Sequence, residues 1–274
     1  MVKQSMTSRG SILALFMCAL LFFCLPAVVR ADALWPECKM EVIYNDKDLV
    51  VDASSLSEGY FLAFTMNPTS HRLKLRVVKD GTTLDYNLNG NGDYEVFPLQ
   101  LGSGTYDISL YENVTGKKYS SAGKITVSVN LVSESEPFLY PNQYVDYEQV
   151  TNAVIESGLL CTGQSPAQVY DIVCNYMANN FAYDYVRAKS VGAEVLPDIE
   201  DSFTRQMGIC QDLSAITVCM LRVQGIPAKL MIGYADKQYH AWTVATVNGE
   251  EKFFDPTVAV NALKVKTYTT ERFY

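Results

Sequence analysis

The sequence predicts two domains, an all-β sandwich followed by a domain of mixed helices and strands (α+β). Three observations carry this prediction. Short segments of alternating apolar and polar residues fill the region from Cys38 to about Leu131. An apolar run over Asp212–Gln224 ends at Gly225, and Asn248-Gly249 joins two later β-type segments. Alternation with period two is typical of half-buried strands, whereas a long apolar run stopped by glycine indicates a buried helix.

Residues 1–33 are predicted to be a secretory signal peptide. Lys3 and Arg9 precede an apolar run, and small residues follow it at Ala31 to Ala33, which is the order typical of a cleaved export signal. The run is broken by Pro26, and an uncleaved membrane anchor is the less favoured alternative. No other stretch is long and apolar enough to span a bilayer. We therefore expect a secreted or cell-surface protein with no stable membrane insertion after cleavage.

The charge balance limits the class of partner. The 274 residues carry a formal net charge of −8. Removal of residues 1–33 takes away three basic residues and one acidic residue, which leaves −10. An acidic surface argues against a nucleic acid or an anionic membrane as the partner. The sequence contains no pattern that specifies an oligomeric state.

Five cysteines remain after residue 33, and an odd number in an exported protein leaves at least one free thiol. The disulfide state of Cys38, Cys161 and Cys174 stays open at this point. Because no C-x-x-C pair and no His–Cys cluster occurs at metal spacing, neither a structural metal nor a cofactor is predicted.

Residues 34–132 are predicted to form the first domain. Its short strands are expected at Met40–Tyr44, Tyr60–Met66, Leu73–Val78, Thr82–Leu88, Tyr94–Leu99, Gly104–Tyr111 and Lys124–Leu131. Turn signals such as Asp80-Gly81 separate them at the spacing of an immunoglobulin-like sandwich. Since no catalytic set is visible in this domain, a binding or spacing role is expected.

A linker is predicted over residues 133–150, and the second domain over residues 151–274. The polar start of the linker indicates a boundary, while its aromatic Tyr140-Pro141 segment is expected to pack against one of the domains. The first helix of the second domain opens with Ser165-Pro166-Ala167-Gln168, a capping box with proline at the first helical position.

Cys210 lies at or just before the start of the predicted buried helix. Unpaired N–H groups and the positive end of the helix dipole favour a thiolate at that point, which is how a cysteine becomes a nucleophile near neutral pH. The alternative for any cysteine is a small buried hydrophobic residue. That interpretation suits Cys219, in the middle of the helix.

His240 and Asp255 are predicted to be neighbours on a hairpin. If a two-residue turn at Asn248-Gly249 joins the strands, Val247 faces Glu250 and the register continues to Trp242 opposite Asp255. His240 then shares a face with Asp255 as its diagonal neighbour, with ~7–8 Å between α-carbons. A carboxylate there can orient an imidazole and stabilise its protonated form. The alternative is a half-buried histidine and an aspartate that opens a turn.

Several short motifs occur in a characteristic order. They are Gly208-Ile209-Cys210, Leu221–Ala228, Gly233-Tyr234, His240-Ala241-Trp242 and Asp255-Pro256-Thr257. From about Ser165 onward the chain resembles the core of the transglutaminase-like superfamily, a branch of the papain-like Cys-His-Asp enzymes. The segment Phe138–Tyr144 is similar to secreted Gram-positive bacterial members that place a β-rich domain before the catalytic one.

The resemblance implies a transglutaminase-like fold with Cys210 as nucleophile, His240 as general base and acid, and Asp255 as the orienting carboxylate. Candidates to line the substrate cleft are Gln211, Tyr239 and Trp242. The implied activity is thiol acyl transfer on an amide or peptide carbonyl through a thioester, as a peptidase or amidase or as a protein cross-linker. The expected substrate is a protein or peptide, including one of the cell wall. The alternative is a non-catalytic cell-surface or cell-wall binding protein that has kept the fold.

Overall fold

The structure, a computed structural model, describes residues 34–192 and 195–274. The predicted signal peptide lies outside the described residues. These residues belong to one compact unit. Within them, no helix combines the length and the apolar character needed to cross a membrane.

Eight strands make up the first part of the described chain. They are β1 (Ile43–Asp46), β2 (Leu49–Asp52), β3 (Tyr60–Thr65), β4 (Leu73–Lys79), β5 (Thr82–Leu88), β6 (Glu95–Pro98), β7 (Gly104–Thr115) and β8 (Lys118–Val129). They form two four-stranded antiparallel sheets with the orders β1-β2-β3-β6 and β5-β4-β7-β8.

Every predicted strand segment of this region overlaps an observed strand, but β2 was missed. All four residues of β2 are buried, so the segment has no apolar–polar alternation to reveal it. Strand β8 begins at Lys118, earlier than the predicted Lys124, because the β7–β8 hairpin continues through polar residues and two irregularities. The immunoglobulin-like assignment of the two sheets stays a prediction.

The alternation in β4 decides which side chains face the core. Leu73, Leu75 and Val77 are buried in the main hydrophobic cluster. Lys74 and Arg76 point to the opposite face, since successive side chains of a strand alternate. The sheet β5-β4-β7-β8 therefore has an apolar inner face and a polar outer face.

The predicted linker, residues 133–150, is packed rather than extended. A short 3₁₀ helix covers Glu136–Leu139, and the side chain of Tyr140 is buried. The ring of Tyr144 stacks on that of Tyr274, with 3.6 Å between centroids. One hydrophobic cluster runs from Leu49 to Tyr274, so the core continues across both predicted domains. The domain boundaries themselves stay predictions.

A buried arginine ties the linker to the second part of the chain. The side chain of Arg222 is fully buried. Its guanidinium donates hydrogen bonds to the backbone oxygens of Tyr140, Ala228 (2.9 Å) and Tyr274 (3.0 Å). Burial lowers the pKa of Arg222 to about 10. Three backbone acceptors thus satisfy a group that would be costly to bury alone.

The second part of the chain mixes helices and strands. Its elements are α1 (Asn152–Cys161), α2 (Pro166–Asn180), β9 (Ala182–Tyr183), α3 (Arg187–Ser190), α4 (Ile199–Thr204), β10 (Met207–Gly208), α5 (Cys210–Arg222), β11 (Ala228–Ala235), β12 (Gln238–Val247), β13 (Glu250–Phe254), α6 (Pro256–Asn261) and β14 (Tyr268–Phe273). Strands β11 to β14 form an antiparallel sheet with the order β13-β12-β11-β14.

The predicted buried helix is α5, which packs against β11 and β12. Every residue from Asp212 to Arg222 is buried. The chain leaves the helix through Gly225, whose φ of +73° lies in the left-handed region that glycine adopts without strain. Helix α2 begins with the predicted capping box, in which the backbone N–H of Ser165 donates to Oε1 of Gln168 (3.0 Å).

Candidate active site

Cys210 is the first residue of α5, where the first N–H groups of a helix have no intrahelical acceptor. The preceding strand β10 pairs in parallel with β9. The buried carboxylate of Asp212 accepts a hydrogen bond from the backbone N–H of Ile209 (2.9 Å) and forms an ion pair with Arg187. These contacts hold the entry to α5 in one position, so the thiol is carried by a fixed segment.

His240 and Asp255 meet across the β12–β13 hairpin. The register is the one that the Asn-Gly turn predicts, with Val247 opposite Glu250. Nε2 of His240 lies 2.7 Å from Oδ2 of Asp255. The diagonal pair therefore makes a direct hydrogen bond, and both side chains are largely buried.

Asp255 also begins a helix. Its Oδ1 accepts a hydrogen bond from the backbone N–H of Val258 (3.0 Å) at the start of α6. Its Oδ2, which faces His240, additionally accepts from the hydroxyl of Tyr268 (2.8 Å). Burial favours the neutral carboxyl, but the hydrogen bond and positive charge of His240, together with the hydrogen bonds from Val258 and Tyr268, outweigh it and hold the pKa of Asp255 below its ordinary value. The turn-opening role and the contact with the imidazole thus coexist in one carboxylate.

The surroundings of His240 favour its protonated form. Burial alone would lower the pKa of the imidazole, but hydrogen bonds with Asp255 and with Cys210, together with their negative charges, raise it to about 9. Because Nε2 is held by Asp255, Nδ1 is the ring nitrogen left for the thiol. The arrangement is that of an imidazole between a thiol and an orienting carboxylate, which can support thiolate chemistry.

Two of the three predicted cleft residues line a cleft of about 940 Å³ that also includes Cys210 and His240. Gln211, one of the two, donates through Nε2 to the backbone oxygen of Val195 (2.7 Å). Tyr239, the other, is 47% exposed.

The prediction that Trp242 lines the cleft is wrong. The residue is 2% exposed and is not among the residues that line the cleft. Its ring packs against that of Tyr268, with 5.0 Å between centroids. Trp242 does share a face with His240, and their rings stack at 6.4 Å. However, Tyr268 comes from β14, a strand that the sequence did not reveal, and it covers the indole.

Three residues near the site were missed. Tyr268 holds Asp255, as described above. Arg272, also from β14, lines the cleft and donates through Nη2 to the hydroxyl oxygen of Tyr239 (2.9 Å). Tyr183 of β9 is paired with Gly208, two residues before Cys210. No motif marks any of them, since the chain has 18 tyrosines and β14 lies far from Cys210 in sequence.

The five cysteines of the described chain are all free thiols. Pairing of Cys161 with Cys174, which the sequence left open, is not observed. Burial raises the pKa of Cys161, Cys174 and Cys219, so these three thiols are held in the neutral form. Within residues 34–192 and 195–274, no three His, Cys, Asp or Glu side chains are grouped as metal ligands would be.

The comparison with protein families agrees with this fold. Residues 157–253 match the family model of the transglutaminase-like superfamily, which is about a third of the chain. This stretch contains Cys210 and His240 and ends two residues before Asp255. No match was found among curated proteins.

Solved structures are similar at low identity. A candidate cysteine protease from Cytophaga hutchinsonii is 14% identical, with 78% of this chain and 83% of that chain covered and a TM-score of 0.40. The periplasmic domain of TgpA from Pseudomonas aeruginosa, solved with ethylmercury bound, is 15% identical, with 74% and 73% covered and a TM-score of 0.38. A TGase is 18% identical over 44% of this chain and 33% of that chain, with a TM-score of 0.35. At these scores, the chemistry of the site rests on this chain's own residues.

Proposed function

We propose that this protein is a thiol acyl-transfer enzyme that attacks an amide or peptide carbonyl through Cys210. The observation that supports this most directly is the position of His240, which is hydrogen-bonded to Asp255 at 2.7 Å while its ring also interacts with the thiol at the start of α5. A thiol, an imidazole beside it and a carboxylate that orients the imidazole are the groups that an activated nucleophile needs, and they support the proposal. Cys210 and His240 also line an open cleft.

In the first step, the Cys210 thiolate attacks the carbonyl carbon and forms the S–C bond. The backbone N–H of Cys210, at the helix start, is the proposed donor to the developing oxyanion. The His240 imidazolium then gives its proton to the leaving nitrogen as the C–N bond breaks. Asp255 keeps the ring oriented and stabilises its positive charge.

In the second step, the thioester is resolved by a nucleophile. Water transfers a proton to the now neutral His240 as it attacks the carbonyl, and the S–C bond breaks to regenerate the thiolate. Hydrolysis is the proposed outcome because it needs no second substrate pocket, which makes the enzyme a peptidase or amidase. Resolution by a primary amine would make it a protein cross-linker.

The activity is proposed to take place outside the cell. The order of basic, apolar and small residues in positions 1–33 supports export. Expression with the natural N-terminus, followed by mass determination of the released protein, tests this. Release of a chain that starts just after Ala31 or Ala33 is expected, and retention of the full chain in the membrane would contradict it.

Brief treatment with iodoacetamide at about pH 6, followed by peptide mass analysis, tests the catalytic proposal. An ordinary thiol with a pKa of ~8.5 is nearly inert there. Cys38 is an internal control for a thiol that reagents can reach but that is not activated. The residue is exposed, and partial desolvation of the thiol together with the charge of Asp52 raises its pKa. Rapid labelling of Cys210, and its loss in His240→Ala, is the expected result.

Slow labelling of Cys210 in both the natural protein and His240→Ala would contradict an activated pair. It would favour the second candidate function, a non-catalytic cell-surface binding protein. Turnover of peptide amides, measured with and without a primary amine, then separates hydrolysis from cross-linking.

A further inference from the structure

The cleft that contains Cys210 extends onto the outer face of the sheet β5-β4-β7-β8. Its lining includes Lys74 and Arg76 of β4, which face away from the hydrophobic core. Tyr111 lies opposite Lys74 on β7 and lines the same cleft. One wall of the candidate active site is thus supplied by the β-rich part of the chain, for which the sequence predicted no part in catalysis.

The lining of the cleft as a whole is strongly positive. Five of the cleft-lining side chains are cationic, and they are Arg72, Lys74, Arg76, Lys117 and Arg272. Asp85 is the single carboxylate among the described lining residues. The chain as a whole carries a net charge of −8, so this concentration of positive charge runs against the average of the molecule. Charge of one sign in a cleft raises the local concentration of ligands of the opposite sign.

Most of this positive charge is not neutralised within the described residues. Arg76 forms a bidentate ion pair with Asp85 (2.7 and 2.8 Å). Arg72 donates to the backbone oxygen of Gly116 (3.0 Å), and Lys74 lies over the ring of Tyr119 at 5.5 Å. Neither contact is with a carboxylate. In residues 34–192 and 195–274, no acidic partner within ion-pair distance is found for Arg72, Lys74, Lys117 or Arg272.

Arg272 adds to this charge from β14. Its Nη2 is bound to the hydroxyl of Tyr239, the residue that precedes His240. Its Nε is buried without a hydrogen-bond partner among the described residues. A buried guanidinium N–H without an acceptor is costly, and a ligand carboxylate is the group whose geometry an arginine matches best.

We propose that the cleft binds an acidic peptide segment whose carboxylates contact Lys74, Lys117 and Arg272 while its amide lies at Cys210. Residues two apart on a strand lie ~7 Å from each other, and an extended peptide repeats with the same spacing. Arg72 and Lys74, which have no acidic partner among the described residues, lie two residues apart and match carboxylates at alternate positions of the peptide. The position of the peptide amide at Cys210 rests on the proposed function, whereas the binding of the carboxylates by the cations does not.

The test measures binding to Cys210→Ala, which cannot turn a substrate over. Short fluorescein-labelled peptides carry Glu or, in a matched set, Gln at every second position, and binding is followed by fluorescence anisotropy at low and high salt. The Glu peptide is expected to bind more tightly, with an affinity that falls as salt rises. The added substitutions Lys74→Gln and Lys117→Gln should weaken it by roughly fivefold, whereas they should not affect the Gln peptide.

Lys47→Gln with Lys252→Gln is the matched control, because both lysines are exposed and neither lines the cleft. This pair removes the same charge and should leave the affinity unchanged. The proposal would be overturned if the Glu and Gln peptides bound equally well, or if the two pairs of lysine substitutions lowered the affinity for the Glu peptide equally. Tighter binding of a short single-stranded DNA than of the Glu peptide would also overturn it. This binding test uses Cys210→Ala and does not depend on an active thiol. A negative result here is therefore distinct from a negative result of the labelling experiment, which tests the proposed function.

Discussion

Replacing Asp255 by Asn separates the electrostatic role of this residue from its structural one. Asparagine is a good N-cap, so Oδ1 can still accept from Val258 at the start of α6. The charge that faces His240 is lost, however. Without it, only the interaction with Cys210 opposes the effect of burial, and the pKa of His240 should fall from about 9 towards its ordinary value of 6.5. This change removes about 3 kcal/mol of preference for the imidazolium.

The pKa of His240 can be measured directly by NMR, because the chain has only two histidines. A pH titration of the imidazole signals should give a value near 9 for His240 in the natural protein. The value should be strongly reduced in Asp255→Asn. His71 is bound to Glu112 and serves as the internal control, since its signals should be the same in both proteins.

The same shift predicts how stability depends on pH. Because the pKa of His240 is higher in the folded protein, the pair stabilises the fold fully below about pH 6.5, and this contribution is lost as the pH rises through about 9. Over this pH range, the free energy of unfolding measured with urea should therefore fall by up to about 3 kcal/mol more in the natural protein than in Asp255→Asn. A His240 that titrates near 6.5 in both proteins would refute the reasoning.

Three further substitutions test the supports of the site by urea unfolding. Gly208→Ala should cost about 1–3 kcal/mol, because a Cβ there would lie 2.7 Å from Cβ of Asp212. Gly192→Ala, whose Cβ would meet no described atom within 4 Å, is the control and should be nearly neutral. Arg222→Met should cost about 3 kcal/mol or more, since it removes three buried hydrogen bonds to backbone oxygens, of which that of Tyr274 keeps the N–H of Leu230 as a donor; a neutral result would contradict the structural role. Tyr268→Phe should cost about 1 kcal/mol through the lost hydrogen bond to Asp255, and an unchanged titration of His240 would show that this bond does not tune the site.

Local rules made part of the candidate site predictable from sequence. The start of α5 at Cys210 follows from the helix pattern and its glycine stop, because caps and periodicity act within a few residues. The contact between His240 and Asp255 follows from the Asn-Gly turn, since a two-residue turn determines the register of the strands that it joins. Both depend on residues that are near each other in the chain.

Contacts between distant segments were decided only by the tertiary structure. The outward face of β4 was visible as the polar half of an alternating pattern, yet nothing in residues 72–119 indicates that it borders Cys210. In the same way, Tyr268 and Arg272 reach the site because β14 pairs with β11 across the sheet, and Tyr268 then covers Trp242. Periodicity reports which side of an element is buried but not which element covers it. The sequence therefore determined the thiol, imidazole and carboxylate with their local positions, while the packing of distant elements decided the cleft around them.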